Sequence, residues 1–128
     1  MGKKVLVADD HRPTVEFVAA ALTQAGYTVV TAGSGSECLA MVETHAPDLV
    51  VLDLSMPGMG GLETLRRLRR GEEGQHLPVV VLSGRPDLGI TAAGSVVPAE
   101  CYLQKPVSSA ALVAAVSRAL EGTGEARR

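Results

Sequence analysis

Aromatic residues are nearly absent from this sequence, which contains one Phe, two Tyr and no Trp. Proteins that stack nucleobases or a flavin ring need exposed aromatic faces, so a platform for single-stranded nucleic acid is not expected. A large excess of positive charge is missing as well, because the formal net charge at pH 7 is −2. Nucleic acids and anionic membranes usually select a basic surface, and we expect no direct contact with either.

Long apolar runs are also missing. No stretch approaches the roughly 18 apolar residues that a membrane-spanning helix needs. The first residues, MGKKVLVADD, enter a strand pattern directly, without the charged and apolar regions of a signal peptide. The cytoplasm is therefore the expected location.

Cysteine is scarce, and the two cysteines, Cys38 and Cys101, have neither CxxC spacing nor metal-ligand companions. We predict that both are reduced packing residues. The composition, with 46% hydrophobic and 20% charged residues, is that of a folded globular protein. The 128 residues suffice for one domain. We assign residues 1–122 to it and residues 123–128 to a C-terminal tail or the remnant of a linker.

Short apolar runs alternate with amphipathic stretches along the chain. The strand candidates are KKVLVA, YTVVTA, DLVVLDL, LPVVVLSG and ECYLQ. Helical periodicity predicts four helices, in RPTVEFVAAALTQAG, SGSECLAMVETHAP, GLETLRRLRRG and SSAALVAAVSRALEG. Gly26 ends the first helix, and Ser34 and Glu37 form a capping box at the start of the second. Ser108 caps the last helix and Gly122 closes it. This alternation predicts an α/β fold with a five-stranded parallel sheet.

Polar residues stand at the carboxyl ends of the predicted strands. Asp9 and Asp10 follow the first strand, Asp53 ends the third, Ser83 ends the fourth and Lys105 comes just after the fifth. In an open parallel sheet, ligands bind at this edge, near the point where the strand order reverses. We therefore expect these five residues to form one site.

The residue types of this site indicate phosphoryl chemistry. Neighbouring carboxylates repel each other by about 4 kcal/mol at 4 Å and an effective dielectric constant of 20, so three of them share protons or hold a cation. Mg²⁺ suits them because it prefers oxygen ligands. The Ser83 hydroxyl and the Lys105 ammonium then complete a phosphoryl pocket. Asp53 is the best nucleophile, because it stands alone before LSMPGMGG, an open loop rich in Pro and Gly.

The motifs resemble those of bacterial response regulator receiver domains. The pair DD after the first strand, VVLDLSMPGMGGLE around Asp53, VVVLSG around Ser83 and YLQKP around Lys105 follow the order of that family. The successive separations also resemble those of receivers: 43 residues from Asp10 to Asp53, 30 from Asp53 to Ser83 and 22 from Ser83 to Lys105. The resemblance implies that residues 1–122 form a receiver domain, with a doubly wound, flavodoxin-like (βα)5 fold and strand order 2-1-3-4-5.

The same resemblance implies a function in two-component signal transduction. Asp53 would accept a phosphoryl group from a histidine kinase or a histidine phosphotransfer protein. Mg²⁺ would be bound by Asp9, Asp10, Asp53 and the backbone carbonyl of Ser55. The phosphorylated chain would then change its contacts with other proteins.

The resemblance also implies a switch next to the phosphoryl group. Ser83 and Lys105 would contact that group, and Tyr102 matches the aromatic position whose side chain moves together with Ser83. The peptide bond before Pro106 is often cis in this family. The chain would be no enzyme beyond its own phosphorylation and dephosphorylation. Only GTGEARR follows the last helix, so the output would come from another protein or domain.

Three alternatives remain. A phosphatase or phosphotransferase with an aspartyl-phosphate intermediate needs Asp-x-Asp and a cap region, whereas Leu54 and Ser55 follow Asp53. A flavodoxin-like electron carrier needs a hydroxyl-rich loop where this chain has ADDHRP. A receiver that is never phosphorylated and acts only as an interaction module stays open, although the intact acidic pair, nucleophile, hydroxyl and lysine weigh against it.

Two other stretches carry weaker signals. His11 has no second His or Cys at ligand spacing, so we interpret it as a loop residue. The segment RPDLGITAAGSVVPAE, before the fifth strand, predicts a short or irregular helix at about residues 88–94 that orders on phosphorylation. Four arginines are interpreted as a solvated helix face, with a partner surface as the alternative: Arg66, Arg67, Arg69 and Arg70.

Overall fold

A parallel sheet lies between two layers of helices. The computed structural model describes residues 2–54, 60–72, 74–84 and 101–126, and of these it describes the backbone alone at 101, 102 and 122–126. The elements are β1 (Lys4–Ala8), α1 (Arg12–Gln24), β2 (Thr28–Ala32), α2 (Gly35–His45), β3 (Leu49–Asp53), α3 (Gly61–Arg70), β4 (Val79–Ser83), β5 (Cys101–Gln104) and α4 (Ser109–Ala126). All paired strands are parallel, in the order β2-β1-β3-β4-β5. This confirms the predicted fold.

Both faces of the central strands are buried. Along β1, Leu6 and Ala8 belong to the core beneath α2 and α3, whereas Val5 and Val7 belong to the core beneath α1 and α4. Successive side chains of a strand point to opposite faces, so a strand covered on both sides must be apolar throughout. Every residue of β3 and β4 is buried, which explains why these strands are continuous apolar runs up to their last residues, Asp53 and Ser83.

Local signals place most helix ends. The Ser34 Oγ accepts a hydrogen bond from the Glu37 N–H at 3.1 Å, and the Glu37 Oε1 accepts one from the Gly33 N–H at 2.7 Å. This confirms the predicted capping box. The glutamate bonds to the residue before the N-cap, Gly33, and not to the N-cap itself. After α1 the chain turns at Gly26, whose φ is 101°, in the left-handed region that favours glycine. The predicted stop of this helix is therefore confirmed.

The last helix differs from its predicted end. The Ser108 Oγ accepts from the Ala111 N–H at 3.1 Å, as an N-cap should, but α4 continues past Gly122 to Ala126. The predicted end at Gly122 is wrong because an internal Gly costs only about 1 kcal/mol, and a helix already anchored in the core adds one hydrogen bond per further residue. The division into residues 1–122 and 123–128 stays a prediction.

Two predictions remain, one of a helix before β5 and one about membrane-spanning helices. The helix predicted at about residues 88–94 lies outside the described residues. Within the described ranges, no helix combines the length and the apolar character that crossing a membrane requires.

Candidate functional site

Three carboxylates meet at the carboxyl edge of the sheet. Asp9 and Asp10 follow β1, and Asp53 ends the neighbouring strand β3. Each of the three offers a carboxylate oxygen, and these oxygens lie within 4.8 Å of one another. Asp9 and Asp53 are buried, whereas Asp10 is exposed. The structure therefore brings the predicted acidic cluster together, with one side open to solvent.

Lys105 joins this cluster from the other side. Its ammonium Nζ lies 3.0 Å from the Asp53 Oδ1 and 3.9 Å from the Asp9 Oδ2. The Lys105 N–H donates to the carbonyl oxygen of Ser83 at 2.7 Å, which ties the end of β5 to the end of β4. The Lys105–Pro106 peptide bond is cis, as the resemblance implied. Lys105 thus serves two buried carboxylates at once.

Ser83 ends β4, the strand next to β3, and is buried. In the register of the two strands, Asp53 pairs with Leu82, so Ser83 comes one residue further toward the carboxyl edge. The structure places this hydroxyl residue at the same edge as Asp53 and Lys105, as predicted.

Asp9 has an unusual electrostatic environment. Its pKa rises from 3.8 to about 6, chiefly because burial disfavours the charged form; the hydrogen bond from the His11 N–H and the charge of Lys105 lower the pKa, and Asp53 raises it. The Oδ1 accepts from the His11 N–H at 2.9 Å. The Oδ2 is buried and has no hydrogen-bond partner. An unsatisfied buried carboxylate oxygen is costly, so a cation or a hydrogen-bond donor bound to this atom would be stabilising.

The donor set fits a Mg²⁺ ion. A hard dication takes carboxylate oxygens as ligands and keeps several waters. Asp9, Asp10 and Asp53 would each supply one carboxylate oxygen, and Asp9 has an oxygen without a hydrogen-bond partner. A polar cavity of about 260 Å³, lined by residues including Asp9, Asp10 and Arg12, opens beside this group. Water and small ions can therefore reach the cluster.

Gly61 also belongs to this site, although its role was not predicted from the sequence. A Cβ atom at Gly61 would collide with the carbonyl oxygen of Asp53 and with the Cα of Leu54. The first turn of α3 therefore packs directly on the backbone of the strand end that carries Asp53. The only signal in the sequence is the Gly pair at the end of LSMPGMGG, which by itself indicates a loop.

The remaining predictions for single residues have different outcomes. Ser55 and the side chain of Tyr102 lie outside what the structure describes. His11 is exposed, and its Nδ1 lies 2.7 Å from the Thr14 Oγ1, which fits a residue of the loop that starts α1. Cys38 is a free, buried cysteine, and burial raises the pKa of its thiol to about 12. A protonated thiol in the core confirms its predicted packing role.

Known proteins share this fold and sequence pattern. Residues 5–117 match the response regulator receiver domain family. The phosphate regulon transcriptional regulatory protein PhoB of Pseudomonas aeruginosa is 36% identical over 124 residues, which make up 97% of this chain and 54% of PhoB. Response regulator MprA of Mycobacterium ulcerans is 38% identical over 123 residues, 96% of this chain and 52% of MprA. The chain therefore spans about half the length of these curated relatives.

A solved structure covers almost the whole chain. The chemotaxis response regulator CheY4 of Vibrio cholerae superposes with a TM-score of 0.84 at 29% identity, over 93% of this chain and 99% of CheY4. The strand order and the position of the acidic cluster are thus accompanied by similarity in both sequence and structure.

Proposed function

This chain belongs to the response regulator receiver domain family of two-component systems, and from that premise we propose that Asp53 is its phosphoacceptor. The donor is a phosphohistidine on a histidine kinase or a histidine phosphotransfer protein. The observation that carries the proposal is the position of Asp53: a buried carboxylate at the carboxyl end of a central strand, in contact with one ammonium and within a cluster of acidic oxygens.

The proposed reaction transfers one phosphoryl group. A carboxylate oxygen of Asp53 attacks the phosphorus, the bond between phosphorus and the imidazole nitrogen of the donor breaks, and its electron pair returns to the imidazole. The product is an acyl phosphate on Asp53. The Lys105 ammonium, 3.0 Å from the Asp53 Oδ1, stabilises the negative charge that the phosphoryl oxygens bring into the site.

Asp9, Asp10 and Asp53 would hold Mg²⁺, with the backbone carbonyl of Ser55 as the further protein ligand. When bound, the ion neutralises charge on the carboxylates and on the incoming phosphoryl oxygens. Asp9 keeps one oxygen on the His11 N–H, at 2.9 Å, and presents the other without a hydrogen bond. His11 therefore orients the Asp9 carboxylate toward the site.

Ser83 and Tyr102 are the proposed switch. The Ser83 hydroxyl would donate to a phosphoryl oxygen, and Tyr102, on the edge strand β5 next to β4, would follow this movement. The resulting change would alter contacts with an output protein or domain. The chain is proposed to catalyse only its own phosphorylation and dephosphorylation, and to work in the cytoplasm, where kinases are supplied with ATP.

The test is phosphorylation of the full chain by acetyl phosphate with MgCl₂, followed by intact-mass measurement and hydroxylamine trapping of the acyl phosphate. We expect one phosphoryl group, located on Asp53, and none in Asp53→Asn or in the presence of EDTA. Asp48→Asn, at the opposite end of the sheet, is the matched control and should be labelled like the unmodified chain.

Two outcomes would contradict the proposal. Labelling of Asp53→Asn at an unchanged level would place the phosphoacceptor elsewhere. No labelling of the unmodified chain, together with no binding of beryllofluoride and Mg²⁺, would favour a receiver that acts only as an interaction module.

A further inference from the structure

The exposed side of α3 carries a row of arginines. Arg66, Arg67 and Arg70, here called the arginine stripe, share a helix face with Glu63, because residues three, four and seven apart lie on one side of a helix. The side chains of Arg66 and Arg67 are 38% and 52% exposed, and Arg70 is exposed as well.

One carboxylate, that of Glu63, contacts two of the three arginines of the stripe. The Glu63 Oε2 accepts from the Arg67 Nε at 3.0 Å, and the Glu63 Oε1 lies 3.7 Å from an Arg66 nitrogen. The pKa of Glu63 is lowered, first by the hydrogen bond from Arg67 and also by the charges of all three arginines. Arg70 has no ion-pair partner in the described part of the chain. The face therefore presents three guanidinium groups against one carboxylate.

The fourth arginine of α3, Arg69, has a structural role. Arg69 points to the other side, where its Nη1 donates to the carbonyl oxygens of Gly74 at 2.9 Å and Leu77 at 2.6 Å. These bonds hold the loop between α3 and β4. No such backbone contact involves the stripe in the described residues, so the loop does not account for its excess charge.

We propose that the arginine stripe is a docking site for an acidic helical segment of a partner protein. Guanidinium groups bind carboxylates in a planar, bidentate geometry. Arg66 and Arg70 are one helical turn apart, or about 6 Å along the axis. Carboxylates one turn apart on a second helix have the same spacing, so a helix laid along α3 can pair with both ends of the stripe.

The charge of the chain and the polarity of its surface favour an acidic protein segment over nucleic acid or a membrane as the partner of the stripe. With α3 excluded, whose charged residues are four arginines and one glutamate, the remaining residues carry a net charge of −5. An extended polyanion such as duplex DNA carries many more charges than the stripe can pair, and the net negative charge of the rest of the chain repels it. A membrane surface needs large apolar side chains beside the cations, and the one exposed large hydrophobic among the described residues is Phe17, on α1. A short acidic helix needs only the stripe.

The test is an NMR titration of the full ¹⁵N-labelled chain, with the Nε–H signals of the arginines as readout. The probe is an alanine-based helical peptide with glutamates one turn apart, and its control replaces each glutamate by glutamine. We expect saturable shifts of the Arg66, Arg67 and Arg70 signals with the glutamate peptide only. The double variant Arg67→Gln/Arg70→Gln should bind roughly tenfold more weakly, whereas Lys3→Gln, which removes an exposed cation elsewhere, should bind normally.

Other results would overturn the docking site. These are an absence of saturable shifts, equal binding of the glutamine peptide, or equal weakening by Lys3→Gln. A duplex oligonucleotide or vesicles of phosphatidylserine that shift the same signals more strongly than the peptide would assign the stripe to nucleic acid or membrane instead. Phosphorylation of Asp53 is measured separately and should be unchanged in the double variant, so the two proposals fail independently.

Discussion

The two ends of the sheet use the same residue type in opposite ways. At the amino end, the Asp48 Oδ2 accepts from the Lys4 N–H at 2.7 Å, the Asp48 N–H donates to the Lys4 carbonyl oxygen at 2.7 Å, and the Lys4 ammonium donates to the His45 carbonyl oxygen at 2.8 Å. At the carboxyl end, the Asp9 Oδ2 is buried without a hydrogen bond and stands 3.9 Å from the Lys105 ammonium.

This difference separates a structural carboxylate from a functional one. Asp48 joins β3 to β1 with its hydrogen bonds made within the protein. Asp9 is held in an environment that raises its pKa to about 6, which means that ionising it costs stability in the folded chain. An unfavourable buried carboxylate of this kind is typical of functional sites, where a bound ligand offsets the cost of its charge. The contrast can be tested with variants at both ends.

The largest expected effect follows from removing the cation of the carboxyl end. Lys105→Ala should slow phosphorylation by acetyl phosphate and Mg²⁺ by about two to three orders of magnitude, as loss of a positioned donor does at other anionic transition states. The measurement is the initial labelling rate by mass spectrometry. Lys4→Ala removes the ammonium of the amino end and should leave the rate unchanged. A Lys105→Ala rate within about threefold of the unmodified chain would contradict this role.

Asp9→Asn should stabilise the chain in the absence of metal. The pKa of Asp9 is raised in the folded state, so its contribution to stability falls as pH rises from 3.8 through about 6. Above about pH 7 the variant should gain on the order of 1 kcal/mol in free energy of unfolding, and the gain should vanish below about pH 4. Denaturant titrations in EDTA at both pH values measure this, and a gain that is the same at both would refute the explanation.

Asp10→Ala should weaken Mg²⁺ binding at least about tenfold, because it removes a charged ligand. Since Asp10 is exposed, the metal-free stability should change by less than about 0.5 kcal/mol. Isothermal calorimetry gives the affinity, with Asp48→Ala as the control that retains it. Unchanged affinity in both Asp9→Ala and Asp10→Ala would require another explanation for the acidic pair.

The smallest effect is expected at the amino end. Asp48→Ala should lower the free energy of unfolding by about 1 kcal/mol, the usual value of one hydrogen bond. The loss should be the same with and without Mg²⁺. Asp48→Asn keeps an acceptor oxygen and should recover most of the loss. A dependence of the Asp48→Ala effect on Mg²⁺ would mean that the two ends of the sheet are coupled, and Asp48 would not be a purely structural carboxylate.

Much of this protein followed from the sequence alone. The order and type of the described elements, the caps at Ser34 and Ser108 and the meeting of Asp9, Asp53 and Lys105 at one edge were all predicted. The elements and caps depend on periodicity and on local hydrogen bonds, which can be read from neighbouring residues. The meeting of Asp9, Asp53 and Lys105 follows from the rule that parallel strands end at a common edge.

The tertiary structure decided what neighbouring residues cannot show. Asp9 and Asp10 are adjacent and identical in type, yet one is buried with an unsatisfied oxygen and the other is exposed. Gly61 meets the Asp53 backbone, and Arg69 binds a loop while Arg70 faces solvent. These differences arise because burial and partners depend on segments distant in the chain, whereas residue type and spacing encode only chemistry and local conformation.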